Sequence, residues 1–269
     1  MILKILNKLI YKTGFYIILK KELTFLKNIP KFSYLWEQLD DDQKTFISKY
    51  LVHSKSQFGQ DLFVLSQVCK KNIAPFFVEF GATDGVALSN SYVFEKHLQW
   101  DGILSEPAKS WHEKLQINRS CKIDIRCVYS NSNEIVEFSE TLNPNEIFKT
   151  SGAELSTIKK YVENGDWATN VRKNNSINYQ VQTVSLNNLL KENNAPKNIG
   201  YLSIDTEGSE LDILSSFDFS EYHINIITVE HNYNTSNRNK IFELLTKNNF
   251  VRMYNDISGP DDWYINKKN

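Results

Sequence analysis

Short apolar runs alternate with amphipathic segments over most of the chain. The apolar runs have the length and residue types of buried strands, and they lie at 76–80, 102–107, 122–130, 199–205 and 224–230. Apolar residues at helical spacing predict helices between and before them, at 59–70, 89–100, 109–119, 209–217 and 237–249. The segment VQTVSLNNLLKEN (181–193) predicts a further strand followed by a helix. Strands that alternate with helices predict an α/β fold, with a parallel sheet covered by helices on both faces.

The end of the chain breaks this alternation. The segments FVRMYN (250–255) and DWYIN (262–266) have strand character, and only DISGPD separates them. A connection without a crossover helix cannot join parallel neighbours, so the last strand is predicted to be antiparallel. A further strand, EIVEFSE (134–140), is predicted at an edge.

Two regions fall outside the regular pattern. Residues 1–53 are predicted to form a helical extension before a domain that covers residues 54–269. Residues 141–180 are polar and weakly periodic, which indicates a lid-like excursion with one short helix near 156–162.

The first 21 residues place lysines at four-residue intervals among isoleucines and leucines. This pattern predicts a basic amphipathic helix. Such a helix could lie on the surface of an anionic membrane, or it could pack on its own domain or on a second subunit. Its longest uncharged run is too short to span a bilayer, and no small-residue cleavage site follows.

Composition narrows the class of protein. The chain has 269 residues, a formal net charge of -1 and three cysteines without metal-type spacing. The charge gives no reason to expect nucleic acid as a partner. Sparse, unpatterned cysteines are typical of reduced thiols, so we expect a cytoplasmic protein.

The stretch FVEFGATDG places an acid inside a buried strand and two glycines after it. Gly81 and Gly85 permit a tight turn with close backbone approach, and Glu79 can accept hydrogen bonds from an ammonium group. Glu106 ends the second strand, where an acid suits ribose hydroxyls. Neither a dinucleotide fingerprint nor a P-loop is present. A ligand with ribose and an amino acid but no phosphate fits, and S-adenosylmethionine is such a ligand.

Five blocks together resemble the FkbM family of methyltransferases: SQFGQD, FVEFGATDGVALSNSYVFEK, GILSEP, YLSIDTEGSELDIL and VEHN. The resemblance covers about residues 54–266. It implies a Rossmann-like class I methyltransferase fold with a seven-stranded, mostly parallel sheet. It also implies methylation of a hydroxyl of a sugar, glycan or polyketide from S-adenosylmethionine. The cofactor-binding residues that we predict are Gln57, Gln60, Asp61, Glu79, Gly81, Asp84, Gly85, Asn90, Glu106 and Asp124.

Acidic residues follow two strands that we expect to be neighbours. Asp205 ends one strand and is followed by Glu207, while Glu230 and His231 end the next. Related sugar O-methyltransferases hold magnesium at such strand ends, so Asp205, Glu230 and His231 are predicted ligands of a divalent cation (Mg, Mn or Fe). In the metal-free alternative His231 or Glu207 takes the hydroxyl proton as the methyl group transfers, and Asp205 is a further predicted catalytic residue that orients or activates the hydroxyl. The acids could equally cap the following helix, and His231 could be structural.

The expected activity is therefore O-methylation of a sugar, either a sugar nucleotide or a growing capsule or lipopolysaccharide glycan. The protein would act in the cytoplasm, and a peripheral contact with the inner face of the membrane and a homo-oligomeric state are further expectations. A nicotinamide-dependent sugar oxidoreductase and a non-catalytic membrane-associated scaffold are the alternatives. Further candidate substrate contacts are Trp167, Arg172, Asp261, Asp262 and Trp263, of which Trp263 also suits the core.

Overall fold

The computed structural model describes residues 32–142 and 152–268. The predicted amphipathic helix at 1–21 and the first part of the predicted lid lie outside these ranges. The described part of the N-terminal extension is helical, and its apolar residues Leu35, Ile47 and Leu51 pack in the same core cluster as Phe77 of the first strand. The start of the methyltransferase domain at residue 54 stays a prediction.

Helices and strands follow the predicted alternation. In the described ranges the α-helices are α1 (Phe32–Gln38), α2 (Asp41–Ile47), α3 (Gln60–Val68), α4 (Tyr92–Leu98), α5 (His112–Asn118), α6 (Thr169–Asn175), α7 (Leu186–Glu192), α8 (Glu210–Ser216) and α9 (Thr235–Lys247). The strands there are β1 (Phe76–Phe80), β2 (Asp101–Ser105), β3 (Lys122–Asp124), β4 (Cys127–Tyr129), β5 (Ile135–Thr141), β6 (Thr157–Ile158), β7 (Ser176–Ser185), β8 (Asn198–Ile204), β9 (His223–Glu230), β10 (Phe250–Met253) and β11 (Asp261–Asn266).

Seven of the described strands form the main sheet, in the order β10-β11-β9-β8-β1-β2-β3. Strand β11 runs antiparallel to both of its neighbours, and the other pairings are parallel. The predicted Rossmann-like sheet with an antiparallel last strand is therefore confirmed. Strand β1 is buried along its whole length, and its side chains enter core clusters on both faces: Val78 and Phe80 on one, Phe77 on the other.

Three predictions differ from the structure. The strand predicted at an edge, at 134–140, is β5, and it pairs with β6 on one side and with β7 on the other. The strand predicted at 122–130 is two strands, because the Asp124 carboxylate accepts hydrogen bonds from the backbone N–H and the guanidinium of Arg126 and turns the chain out of the main sheet. The helix predicted at 156–162 is a single 3-10 turn at Lys159–Tyr161 that follows a two-residue strand.

A smaller sheet borders the region predicted as an excursion at 141–180. Its order is β4-β7-β5-β6, and β5 pairs with β7 along its full length from Ile135 to Thr141. The region predicted as polar and irregular therefore contains the strand β6, the first half of the ten-residue strand β7 and a helix, α6. In the described parts of the chain, we find no helix with the length and hydropathy of a membrane span.

The strand order reverses beside β1, because β2 lies on one side of it and β8 on the other. Phe80 pairs with Ile204, and Ile204 pairs with Val229. The next residues along these strands, Gly81, Asp205 and Glu230, therefore reach the same edge of the sheet. In open α/β sheets this carboxyl edge, at the switch in strand order, is where ligands bind.

Candidate functional site

The turn after β1 depends on a glycine. Gly81 has a φ of +71°, and a Cβ at this position would collide with the main-chain carbonyl of Asp205. Its N–H donates to the carbonyl oxygen of Ser105 at 3.1 Å. The ends of β1, β2 and β8 therefore approach one another at the level of the backbone, which only a residue without a side chain permits.

Glu79 organises the segment that follows this turn. Its carboxylate accepts hydrogen bonds from the Asn90 N–H at 2.6 Å and from the hydroxyls of Ser89 and Ser91, and Arg119 Nη1 lies 4.0 Å away. Asn90 in turn donates from Nδ2 to Ser203 Oγ at 2.9 Å, while its buried Oδ1 has no hydrogen-bond partner. An unpaired buried amide oxygen beside a cavity is a vacant acceptor for a ligand.

Glu106 closes the opposite wall of the turn. Its two carboxylate oxygens accept from the Thr83 N–H and the Ala108 N–H, each at 2.8 Å. Burial raises the pKa of Glu106 to about 7, although these two amides favour the ionised form. Each carboxylate oxygen keeps a second lone pair, so the pair of them can still accept from the hydroxyls of a ribose.

Three carboxylates meet at the tips of β8 and β9. Asp205, Glu207 and Glu230 each offer an oxygen, and these oxygens lie within 4.8 Å of one another. Glu207 and Glu230 are buried, and Asp205 is half-buried. Glu207 adopts a φ of +60°, an uncommon backbone conformation that occurs often at functional sites.

The pKa values of all three acids are raised. Burial, reinforced by the charge of Asp261, raises the pKa of Asp205 to about 7. Burial also raises the pKa of Glu230 well above its ordinary value, with Asp205 and Glu207 adding to the effect. For Glu207 burial outweighs the opposing guanidinium of Arg172. Because the three groups share one small volume, they hold fewer than three negative charges near neutral pH.

Two polar side chains hold this cluster in place. Arg172 is 1% exposed and pairs with Glu207 through Nη2 and with Asp166 through Nη1, the latter at 2.7 Å. Asn232 donates from Nδ2 to Glu207 Oε2 at 3.0 Å and to Glu230 Oε2 at 2.8 Å. Helix α6, which carries Arg172, is thereby tied to the acids at the sheet edge.

His231 does not join the carboxylates, contrary to the predicted ligand set. Its Nδ1 accepts from the Tyr233 N–H at 3.0 Å, and its Nε2 lies 3.8 Å from Asp262 Oδ1. Side chains of neighbouring strand residues point to opposite faces, so His231 turns away from the face that Glu230 uses. Glu207, not His231, is the third member of the cluster.

The residues predicted before β1 divide into two groups. Gln57 and Gln60 line the main cavity, and Gln60 Nε2 donates to Asp261 Oδ2 at 2.7 Å. Asp61 instead accepts from Ser54 Oγ at 2.7 Å and from the Lys55 N–H at 3.1 Å, so it shapes the loop before α3.

Three other predicted cofactor residues, Asp84, Gly85 and Asp124, lie outside the cavity walls that the described residues form. Asp84 accepts from the N–H groups of Val86 and Ala87 at 2.9 and 2.7 Å, and Asp124 pairs with Arg126. Their contacts are those of residues that shape the cofactor loop and the end of β3.

A cavity of about 550 Å³ lies between the turn after β1 and the three carboxylates, a size typical of small-molecule sites. Glu106 lines a smaller cavity of about 40 Å³, which shares Gly81, Thr83, Asp205 and Glu207 with the main one. The walls of the main cavity hold most of the predicted residues together with aromatic side chains at the rim, and they include Gln57, Gln60, Glu79, Gly81, Thr83, Asn90, Trp167, Asp205, Glu207, Glu230, Asn232 and Tyr233. Trp263 belongs to the core instead, because it stacks on Phe63 with ring centroids 4.9 Å apart.

The role of Asn232 was not predicted, although this residue belongs to the VEHN block, and Arg172, predicted as a substrate contact, instead pairs with Glu207. An asparagine two residues after a strand-terminal acid is the signal that was available, since a short amide can turn back to that acid.

Comparisons with known proteins place this geometry in a family. The family model of the methyltransferase FkbM domain matches residues 79–255, which hold the cofactor loop and the carboxylate cluster. Among solved structures, methyltransferase FkbM from Methylobacillus flagellatus KT is similar with a TM-score of 0.45 and 10% sequence identity, covering 91% of this chain and 60% of that one. No curated protein matches the chain. The chain belongs to the FkbM methyltransferase family.

Proposed function

We propose that this protein transfers a methyl group from S-adenosylmethionine to a hydroxyl of a sugar. One observation carries the proposal: Asp205, Glu207 and Glu230 line the same cavity as the glycine turn after β1. An acid cluster in that position faces the place where a methyl donor would be held by the turn.

The described residues fit the cofactor. Asn90 Oδ1 is buried and unpaired in the wall of the cavity, and it can accept from an ammonium group. Glu106 retains lone pairs for ribose hydroxyls, and Gly81 leaves room for close approach of the ligand to the backbone. When bound, S-adenosylmethionine supplies an electrophilic methyl group on a sulfonium.

The acids would prime the acceptor. The hydroxyl oxygen forms a bond to the methyl carbon while the carbon–sulfur bond breaks, and the hydroxyl proton passes to a carboxylate. A general base works best when its pKa lies near the working pH, and the pKa of Asp205 is raised to about 7. Asn232 and Arg172 would hold the neighbouring acids so that Asp205 faces the acceptor.

A divalent cation is the alternative source of activation. The oxygens of Asp205, Glu207 and Glu230 form a hard donor set that suits Mg²⁺, Mn²⁺ or Fe²⁺, and such an ion would lower the pKa of a bound hydroxyl. The Arg172 guanidinium already offsets part of the charge of the acids, and the Asn232 amide already donates to one oxygen of Glu207 and one of Glu230, which favours the metal-free version. The proposal otherwise keeps the expected cytoplasmic setting and a sugar nucleotide or surface glycan as substrate.

Incubation with S-adenosylmethionine and a panel of sugars and sugar nucleotides, with and without a chelator, tests the proposal. We expect mass spectrometry to detect a sugar that has gained one methylene, and no gain with Asp205→Ala. Loss of the product on chelation would assign the activation to a metal. A protein that binds S-adenosylhomocysteine but methylates no sugar would contradict the choice of acceptor.

A further inference from the structure

The walls of the proposed site carry acids but no Lys or Arg among the described residues. The main cavity shares Glu230, Asn232 and Tyr233 with a second cavity of about 210 Å³, and Asp205 and Glu207 with a third of about 40 Å³. The acidic residues that line the three cavities are Glu79, Glu106, Glu154, Asp166, Asp205, Glu207, Glu210 and Glu230. An anionic ligand would therefore find no cationic partner in these described walls.

Two buried guanidinium groups lie against acids of these walls and are already engaged. Arg172 is buried between Asp166 and Glu207, and Arg119 is buried against Glu95 at 2.6 Å and lies 4.0 Å from Glu79. A bound S-adenosylmethionine would add about one net positive charge, from its sulfonium and ammonium against one carboxylate. This positive charge would offset the negative charge of acidic side chains beside the methyl donor. The acidic side chains where the acceptor binds would remain without a cationic partner in the described walls.

The rim of the main cavity offers apolar surface instead of charge. Trp167 is 66% exposed and Tyr233 is 70% exposed, and both side chains line the cavity. Exposed aromatic faces in a cavity wall suit the apolar face of a sugar ring, while Asn232 and Gln57 offer hydrogen bonds to its hydroxyl groups.

We infer that the acceptor is an uncharged or amine-bearing sugar, and not a sugar nucleotide or a phosphorylated or carboxylated sugar. The inference rests on the proposed methyltransferase function and selects between the two substrate classes that it left open. Each added negative charge near these acids is expected to weaken acceptor binding about tenfold at low salt. An amine would gain from the same field.

Matched sugars separate the two classes. The protein is first titrated with S-adenosylhomocysteine by calorimetry, and absence of binding would refute the proposed function itself. The complex is then titrated with sets of one sugar as the methyl glycoside, the 2-amino sugar, the 1-phosphate and the nucleoside diphosphate derivative. We expect the neutral or amino member to bind at least about tenfold more tightly than the anionic members, with a gap that narrows at high salt.

Two results would overturn the inference once the cofactor product binds. One is a phosphate or nucleotide derivative that binds as well as or better than its neutral counterpart, and the other is a panel in which no neutral or amino sugar binds. Trp167→Ala should weaken acceptor binding without changing S-adenosylhomocysteine affinity, and Trp167→Phe should retain most of it. Unchanged acceptor binding in Trp167→Ala would show that this aromatic side chain does not contribute to acceptor binding.

Discussion

Arg172 is the residue whose removal should destabilise the protein most sharply around the site. Its guanidinium is buried, pairs with Asp166 and Glu207, and donates from Nε to the carbonyl oxygen of Leu155 at 2.8 Å. Arg172→Met keeps much of the side-chain volume and deletes the positive charge. The buried carboxylates of Asp166 and Glu207 have then lost their cationic partner. Removal of one partner from a buried ion network costs about 3–5 kcal/mol.

The cost should depend on the acids that are left behind. In the double variant Arg172→Met with Glu207→Gln, one of the stranded charges is gone, so the double variant should be more stable than the sum of the single effects predicts. We expect a coupling of at least about 1 kcal/mol between the two positions. Because the pKa of Glu207 is raised by burial, part of the stranded charge is relieved by protonation, which places the single-variant cost at the lower end of the range.

Urea denaturation of the four proteins of this cycle measures both quantities, with thermal melting as a check. A loss of about 3 kcal/mol corresponds to a decrease in Tm of about 6–12 °C for a chain of this size. Lys197→Met, which removes an exposed ion pair with Glu221, is the matched control and should change stability by less than about 1 kcal/mol. A similar small effect of Arg172→Met, or strict additivity in the cycle, would refute the account of the buried network.

Two further predictions concern the cofactor loop. Gly81→Ala should cost at least about 2 kcal/mol more than Gly165→Ala, because both glycines have positive φ but only the Gly81 Cβ meets another backbone segment; equal costs in chemical denaturation would contradict the close approach. Burial raises the folded-state pKa of Glu106 to about 7, above its unfolded value, so this residue alone should cost unliganded wild type about 2 kcal/mol of stability as the pH rises from 5 to 8, in addition to the losses from the other buried acids whose pKa is raised. Glu106→Gln should lower the total pH-dependent loss by about that amount and weaken S-adenosylhomocysteine binding by about tenfold. An unchanged pH dependence of stability would show that Glu106 does not contribute to it.

The sequence was sufficient to predict the strands of the main sheet and the positions of most of the acidic residues at the strand ends. The runs at 76–80 and 224–230 coincide with β1 and β9 to within a residue, because continuous apolar runs at buried positions leave little choice of structure. The adjacency of Asp205 and Glu230 followed from the parallel order of their strands. The family resemblance supplied the seven-stranded topology.

The pattern of apolar and polar positions did not predict the direction of some side chains or the pairing of strands in the smaller sheet. His231 was grouped with Glu230 because they are adjacent in sequence, but neighbouring residues of an extended strand face opposite ways. Only the second half of β7 was predicted as a strand, because its first half, residues 176–180, is largely exposed and has no apolar run, and its pairing with β5 comes from tertiary contacts. The ties of Arg172 and Asn232 to Glu207 join residues 35 and 25 positions apart, for which no local pattern exists.

The most direct test of the central claim is methyl transfer by Asp205→Asn, measured together with its affinity for S-adenosylhomocysteine. We expect transfer to a sugar acceptor to fall by at least about 100-fold while the cofactor product binds within a few-fold of wild type. Asp218→Asn, an exposed surface control, should leave both values unchanged. A wild-type rate in Asp205→Asn would contradict the assignment of acceptor activation to the acids at the tips of β8 and β9.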